Sequence, residues 1–159
     1  HRDLHSFPTR RSSDLSAAAL RETFVANLRF AAAQLQEAGI RLLIEPINTF
    51  DIPGFYLNRT AQAAEILDEV GSDNLFIQYD IYHAQRMEGE LAATVARHLP
   101  RIAHIQLADN PGRHEPGTGE IHYPWLLSHI DGLGYDGWIG CEYKPATTTT
   151  EGLGWLQAY

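Results

Sequence analysis

The 159 residues are enough for one domain with a core of its own. A hydrophobic fraction of 44% and a charged fraction of 20% are ordinary for a globular protein, and no apolar run approaches the ~20 residues of a membrane span. The formal net charge of -8 argues against a nucleic-acid partner, because phosphate backbones are met with Lys and Arg. Cys141 stands alone, which excludes an internal disulfide and fits a reducing cytoplasm. Beside Glu142 it reads as a small buried apolar residue rather than a nucleophile.

Residues 1–15 show neither a helical nor a strand period and lack the apolar centre of a secretory signal. Their basic, Ser-rich run resembles translated adaptor sequence. It is read as a non-native or disordered leader, and the domain as residues 16–159. Leu20, Phe24, Leu28, Ala31 or Ala32, and Leu35 recur at helical spacing, and Gly39 follows as a C-terminal stop. The run Leu42, Leu43, Ile44 then leads into Glu45 and is closed by Pro46. Consecutive apolar residues without alternation suit a strand covered on both faces. Residues 48–57 form an aromatic loop with Pro53 and Gly54, and a helix is expected over Thr60–Val70. A second strand ends in Asp80, residues 81–89 read as a loop, and a helix over 90–99 stops before Pro100. A third strand, 102–106, ends in Gln106. A long polar loop, 109–120, a helix over 123–133 and a fourth strand, 138–142, ending in Glu142 follow. A Thr-rich loop and a terminal helix from about residue 151 close the chain.

Strands alternating with helices predict a parallel sheet in an α/β fold. The strand-end residues Glu45, Asp80, Gln106 and Glu142 fall 35, 26 and 36 residues apart, one βα unit each. No Gly-rich phosphate loop follows a strand, and polar residues at successive strand ends favour a (β/α)8 TIM barrel over a doubly wound sheet. A full barrel needs about 250 residues. The chain is therefore expected to be a partial TIM barrel, its carboxyl-terminal half, holding the fifth to eighth strands with their helices.

In a barrel those four residues converge on one axis. Three carboxylates and an amide oxygen make a hard donor set that suits Mg²⁺ or Mn²⁺ better than zinc. Without a cation, repulsion puts a proton on at least one carboxyl, which then serves as an acid beside a basic partner. Either arrangement suits proton transfer next to a carbonyl, and no organic cofactor is called for. Strand-end residues that merely cap helices would explain one such position better than four in succession. His83, three residues after Asp80, is a candidate substrate hydrogen-bond donor, and Arg113 a candidate bidentate clamp for a substrate carboxylate. His104, inside a strand, is expected to face the helix layer. Glu120 could hold Arg113 or its loop, and Lys144 could pair with a carboxylate or substrate.

Four stretches carry a resemblance: LIEPINTFDIPGF at 43–55, IQYDIYHAQRMEGEL at 77–91, ADNPGRHEPGTGEI at 108–121 and GWIGCEYKP at 137–145. Together they resemble the hydroxypyruvate isomerases of the xylose-isomerase-like barrel superfamily, over roughly residues 16–159. The resemblance implies a catalytic pair in Glu45 and Glu142, metal positions at Glu45, Asp80, Gln106 and Glu142, and substrate contacts at His83 and Arg113. Many relatives carry histidine where this chain has Gln106, which weakens transition-metal binding. The implied reaction converts hydroxypyruvate to tartronate semialdehyde through an enediolate, one glutamate removing a proton and the other returning it to the neighbouring carbon. The implied partner is a small hydroxy-keto acid, with no nucleic acid or membrane; a homo-oligomer is compatible with it. The nearest alternative is a 2-oxo-tetronate isomerase, with Phe50, Phe55 and Tyr56 bounding the pocket. Apurinic endonuclease relatives need more histidine ligands and basic loops. A half barrel by itself would expose strand edges, so the chain is expected to be inactive unless completed.

Overall fold

The computed structural model describes residues 16–158. The leader assigned to residues 1–15 lies outside them. Helix α1 (Ala17–Glu37) begins where Ser16 Oγ accepts the Ala19 N–H at 3.2 Å, and the chain leaves it through Gly39 at φ +69°. Strand β1 (Leu42–Ile44), helix α2 (Thr60–Val70) and strand β2 (Leu75–Asp80) follow. Next come α3 (Ile81–Met87), α4 (Leu91–His98) and a 3₁₀ turn over Leu99–Arg101. Strand β3 (Ile102–Leu107), α5 (Tyr123–Gly132), β4 (Ile139–Cys141) and a 3₁₀ segment over Glu151–Ala158 complete the chain.

The four strands pair in the order β1-β2-β3-β4, all parallel. A doubly wound sheet reverses its order at a switch point; this one advances without reversal, as consecutive units of a barrel do. Ile77, Tyr79, Ile105 and Leu107 point from one face into the helix layer and are at most 1% exposed, packed with Ile66, Val95 and Ile130. Truncating one of these isoleucines to alanine removes buried methyl groups and costs about 2–5 kcal/mol. The other face carries Gln78, Asp80, His104, Gln106 and Gly140 at adjoining register positions. A register shift makes that separation work. Ile77 pairs with Ile102 but Gln78 with His104, so Ala103 is the extra residue of a bulge. The bulge keeps Ile102 with the core while turning His104 and Gln106 to the polar face.

Two expectations need correction. Of the expected loop 81–89, residues 81–87 are helical, because α3 starts directly at the end of β2. Asp80 is its N-cap, with Oδ1 accepting the His83 N–H at 3.1 Å. Cys141 is exposed rather than buried, because β4 is an edge strand that pairs only with β3 among the described residues.

Candidate active site at the carboxyl ends of the strands

The carboxyl ends of β1 to β4 deliver their polar side chains to one place. Gln78, two residues before Asp80 on the same strand face, donates through Nε2 to Glu45 Oε2 at 2.9 Å and to Gln106 Oε1 at 2.6 Å. One amide thus ties the ends of three strands. Asp80 spends Oδ1 on the α3 cap, while its buried Oδ2 has no hydrogen-bond partner. His83 sits on the first turn of α3, only 3% exposed, with Nε2 3.8 Å from Glu45 Oε1 and 3.9 Å from Asp80 Oδ2. Arg113 Nη2 donates to Glu142 Oε2 at 2.8 Å and stands 3.9 Å from Asp80 Oδ2. Glu45, His83, Asp80, Arg113 and Glu142 therefore form one continuous cluster, and Gln106 joins it through Gln78.

The loop at 109–120 is built around a carboxylate that sequence reading passes over. Asp109 is 1% exposed and accepts four backbone N–H groups. Those of Asn110 (2.9 Å) and Ile121 (3.1 Å) reach Oδ1, and those of Gly117 (2.8 Å) and Gly119 (3.0 Å) reach Oδ2. A Cβ on Gly119 would run into the Asn110 carbonyl oxygen, so this close wrap requires glycine. Arg113 adopts φ +56° within the loop, and its carbonyl accepts the Lys144 N–H at 2.7 Å, which ties the loop to the exit of β4. The guanidinium lies 5.0 Å above the Tyr82 ring.

Burial sets the protonation states. It is the largest influence on Glu45, followed by the charges of Asp80 and Glu142; the Gln78 hydrogen bond and Arg113 only partly offset them, and its pKa is raised to about 8. Burial also raises the Asp80 carboxyl. His83 is lowered to about 4 by burial and then by the Arg113 charge. At neutral pH the imidazole is neutral and Glu45 carries a proton. A free oxygen on Asp80 between further carboxylates is a donor set that fits a hard divalent cation. Glu45, Asp80 and His83 bring one ligand atom each within 4.8 Å of one another.

Several expected residues take other roles. His104 lies on the polar face, two residues from Gln106, because strand side chains repeat every second residue. It fits there because Gly140 opposite has no side chain; a Cβ would come within 2.9 Å of its Nε2. Glu120 holds the loop rather than Arg113, accepting from Asn110 Nδ2 and from Gln85 Nε2. The Lys144 ammonium makes no ion pair among the described residues. Phe55 packs against the apolar core, and Tyr56 meets Phe24 of α1 at 5.5 Å between centroids. Phe50 is 66% exposed beneath the Arg86 guanidinium. The ring flanking the site is Tyr82. Gln78 was findable by the period-two rule from Asp80; Asn48, Tyr82 and Asp109 carried no signal beyond turn chemistry.

The sequence model of the xylose isomerase-like TIM barrel family matches residues 4–159. The chain belongs to that family. Among its relatives, the hydroxypyruvate isomerase of Escherichia coli K12 is 56% identical over 144 residues, 91% of this chain and 56% of that protein. The 2-oxo-tetronate isomerase of Cupriavidus necator is 50% identical over 147 residues, 92% of this chain and 56% of that protein. A crystal structure from Brucella melitensis titled AP endonuclease, family 2, superposes with a TM-score of 0.88 at 40% identity. It covers 92% of this chain and 57% of that one. The chain thus spans about half the length of the curated relatives it matches. Its four strands are part of the family's barrel, as the strand order shows. None of the described helices is long and apolar enough to cross a membrane.

Proposed function

We propose that this chain carries the proton-transfer site of an isomerase that interconverts hydroxypyruvate and 2-hydroxy-3-oxopropanoate. One observation carries the reading. Glu45 and Glu142, at the ends of the first and last described strands, belong to one cluster yet differ in their surroundings. Glu45 is buried and holds a proton, whereas Glu142 is ion-paired to Arg113. Glu142, as carboxylate, removes a proton from the hydroxymethyl carbon. The electron pair moves to give the enediolate, the proton of the C3 hydroxyl passes to the C2 oxygen, and Glu45 returns a proton to C2, the neighbouring carbon. His83, neutral, and Arg113 donate hydrogen bonds to the oxygens on which charge develops. The Arg113 fork also takes the substrate carboxylate.

Asp80 and Glu142, with the Gln106 amide oxygen beside them and Glu45 once it has given up its proton, would hold Mg²⁺ or Mn²⁺. Such an ion supplies Lewis acidity toward the substrate oxygens. The identity to a hydroxypyruvate isomerase favours the three-carbon acid. The 50% identity to a 2-oxo-tetronate isomerase supports a second reading, the same chemistry on an acid one carbon longer. The net charge of -8 supports a small acid rather than a nucleic acid as partner.

The test is turnover of both acids, with and without a chelator, by this chain and by a chain extended to its relatives' length. Activity on hydroxypyruvate that falls about 10²–10⁴-fold in Glu142→Gln, with circular dichroism unchanged, is the expected result. Near-normal turnover in that variant would defeat the assignment.

A further inference from the structure

Asn48 is fully buried behind His83, on the side away from the carboxylates. Its amide can point only one way. Oδ1 accepts the backbone N–H groups of Phe50 at 3.1 Å and Asp51 at 2.8 Å. The NH₂ group therefore faces Asp51 Oδ2 at 2.9 Å and His83 Nδ1 at 2.6 Å. Reversing the amide would set its oxygen against the Asp51 carboxylate and its NH₂ against two N–H donors. The Asn48 backbone N–H also points at His83 Nδ1, at 3.4 Å. Asp51 is fixed in turn by the Tyr82 hydroxyl at 2.8 Å and the Arg86 guanidinium at 2.7 Å. Every donor near Nδ1 comes from Asn48, so Nδ1 must accept, and the single imidazole proton is placed on Nε2. Nε2 is the nitrogen that faces Glu45 and Asp80.

From this network we propose that Asn48 is a positioning residue. It locks His83 in the Nε2–H tautomer, which makes the imidazole a hydrogen-bond donor to the substrate oxyanion and not a metal ligand, although Nε2 lies beside two carboxylates. The inference deepens the isomerase reading and rests on it for the identity of the oxyanion, but the tautomer itself is independent of any activity. Asp51 acts one step further back, by holding the Asn48 amide.

Long-range ¹H–¹⁵N correlation spectra of His83 at neutral pH test it directly. The expected spectrum shows a protonated Nε2 and an unprotonated Nδ1, unchanged when Mg²⁺ is added. A proton on Nδ1, or loss of the Nε2–H signal on adding Mg²⁺, overturns the proposal. In Asn48→Asp, nearly the same size, an acceptor replaces the donor, and a proton must appear on Nδ1. With hydroxypyruvate as substrate, kcat falls about 10²-fold or more while KM changes little, because the donor acts on charge that develops in the transition state. An Asn48→Asp spectrum identical to wild type, or a shifted proton without loss of kcat, also overturns it. Should the wild-type protein turn over neither acid, the spectra still decide the tautomer, and the failure falls on the proposed reaction alone.

Discussion

The two sides of the site are built differently. On the β1–β2 side, Glu45, Asp80 and His83 sit on strand ends and a helix first turn, with side chains 14%, 1% and 4% exposed. On the β3–β4 side, Arg113 rides a long loop and Glu142 lies just past an edge strand, their side chains 23% and 40% exposed. Burial makes the first side reluctant to carry charge, so its carboxyls are pushed up and its histidine down. The second side is more open to solvent and is held by a direct ion pair. Two glutamates of one chemical type thus sit in contrasting surroundings, which is the basis of the acid and base roles proposed for them.

The largest test of that contrast is to neutralise each glutamate in turn. Glu142→Gln removes the proposed base, and Glu45→Gln removes the proposed acid; each is expected to lower kcat about 10²–10⁴-fold. Their pH–rate profiles should differ. The limb near pH 8 belongs to Glu45 and should vanish in Glu45→Gln but persist in whatever activity Glu142→Gln retains. Persistence of that limb in Glu45→Gln would remove the distinction between the two residues.

Next in size, Asp109→Ala should cost about 1–3 kcal/mol in denaturant unfolding, because it strands four backbone N–H groups, that of Ile121 buried and the others partly so. It should also loosen Arg113 from Glu142 while leaving the β1–β2 side intact. An unaltered unfolding midpoint would show that the loop is held by something else.

A smaller effect concerns stability against pH. Glu45 is raised from 4.5 to about 8, so the folded state binds this proton more tightly than the unfolded chain. Its stabilising contribution is complete below about pH 4.5 and is lost as pH rises to about 8. His83 is lowered from 6.5 to about 4, so its contribution is complete above about pH 6.5 and is lost as pH falls to about 4. Between pH 6.5 and 8 the Glu45 effect stands largely clear of the His83 one. Unfolding free energy should decline there in the wild type, more gently in Glu45→Gln, and more gently again with saturating Mg²⁺. A flat wild-type profile over that range would contradict a buried, protonated Glu45. At the bottom of the scale, Cys141→Ser should change stability by about 0.5 kcal/mol or less, because the thiol is exposed on the edge strand.

Much of this architecture was legible in the chain itself. Runs that end in Glu45, Asp80, Gln106 and Glu142 marked four strands correctly, because the apolar residues in them fill the sheet face that packs on the helices. The residue types at their ends are what suggests the proposed chemistry. Regular spacing likewise marked α1, α2, α4 and α5. His104 was legible by the same period-two rule from Gln106, whereas the bulge that puts Ile102 in the core and His104 on the polar face was not. Nor could the sequence say that Asp80 runs straight into α3 and thereby aims His83 at Glu45. Burial was equally out of reach, and burial separates the two glutamates. Desolvation depends on every neighbouring atom, most of them distant along the chain. Composition and periodicity choose the elements and their reactive groups; only the packed tertiary structure fixes which groups are dry, which are paired, and where each proton resides.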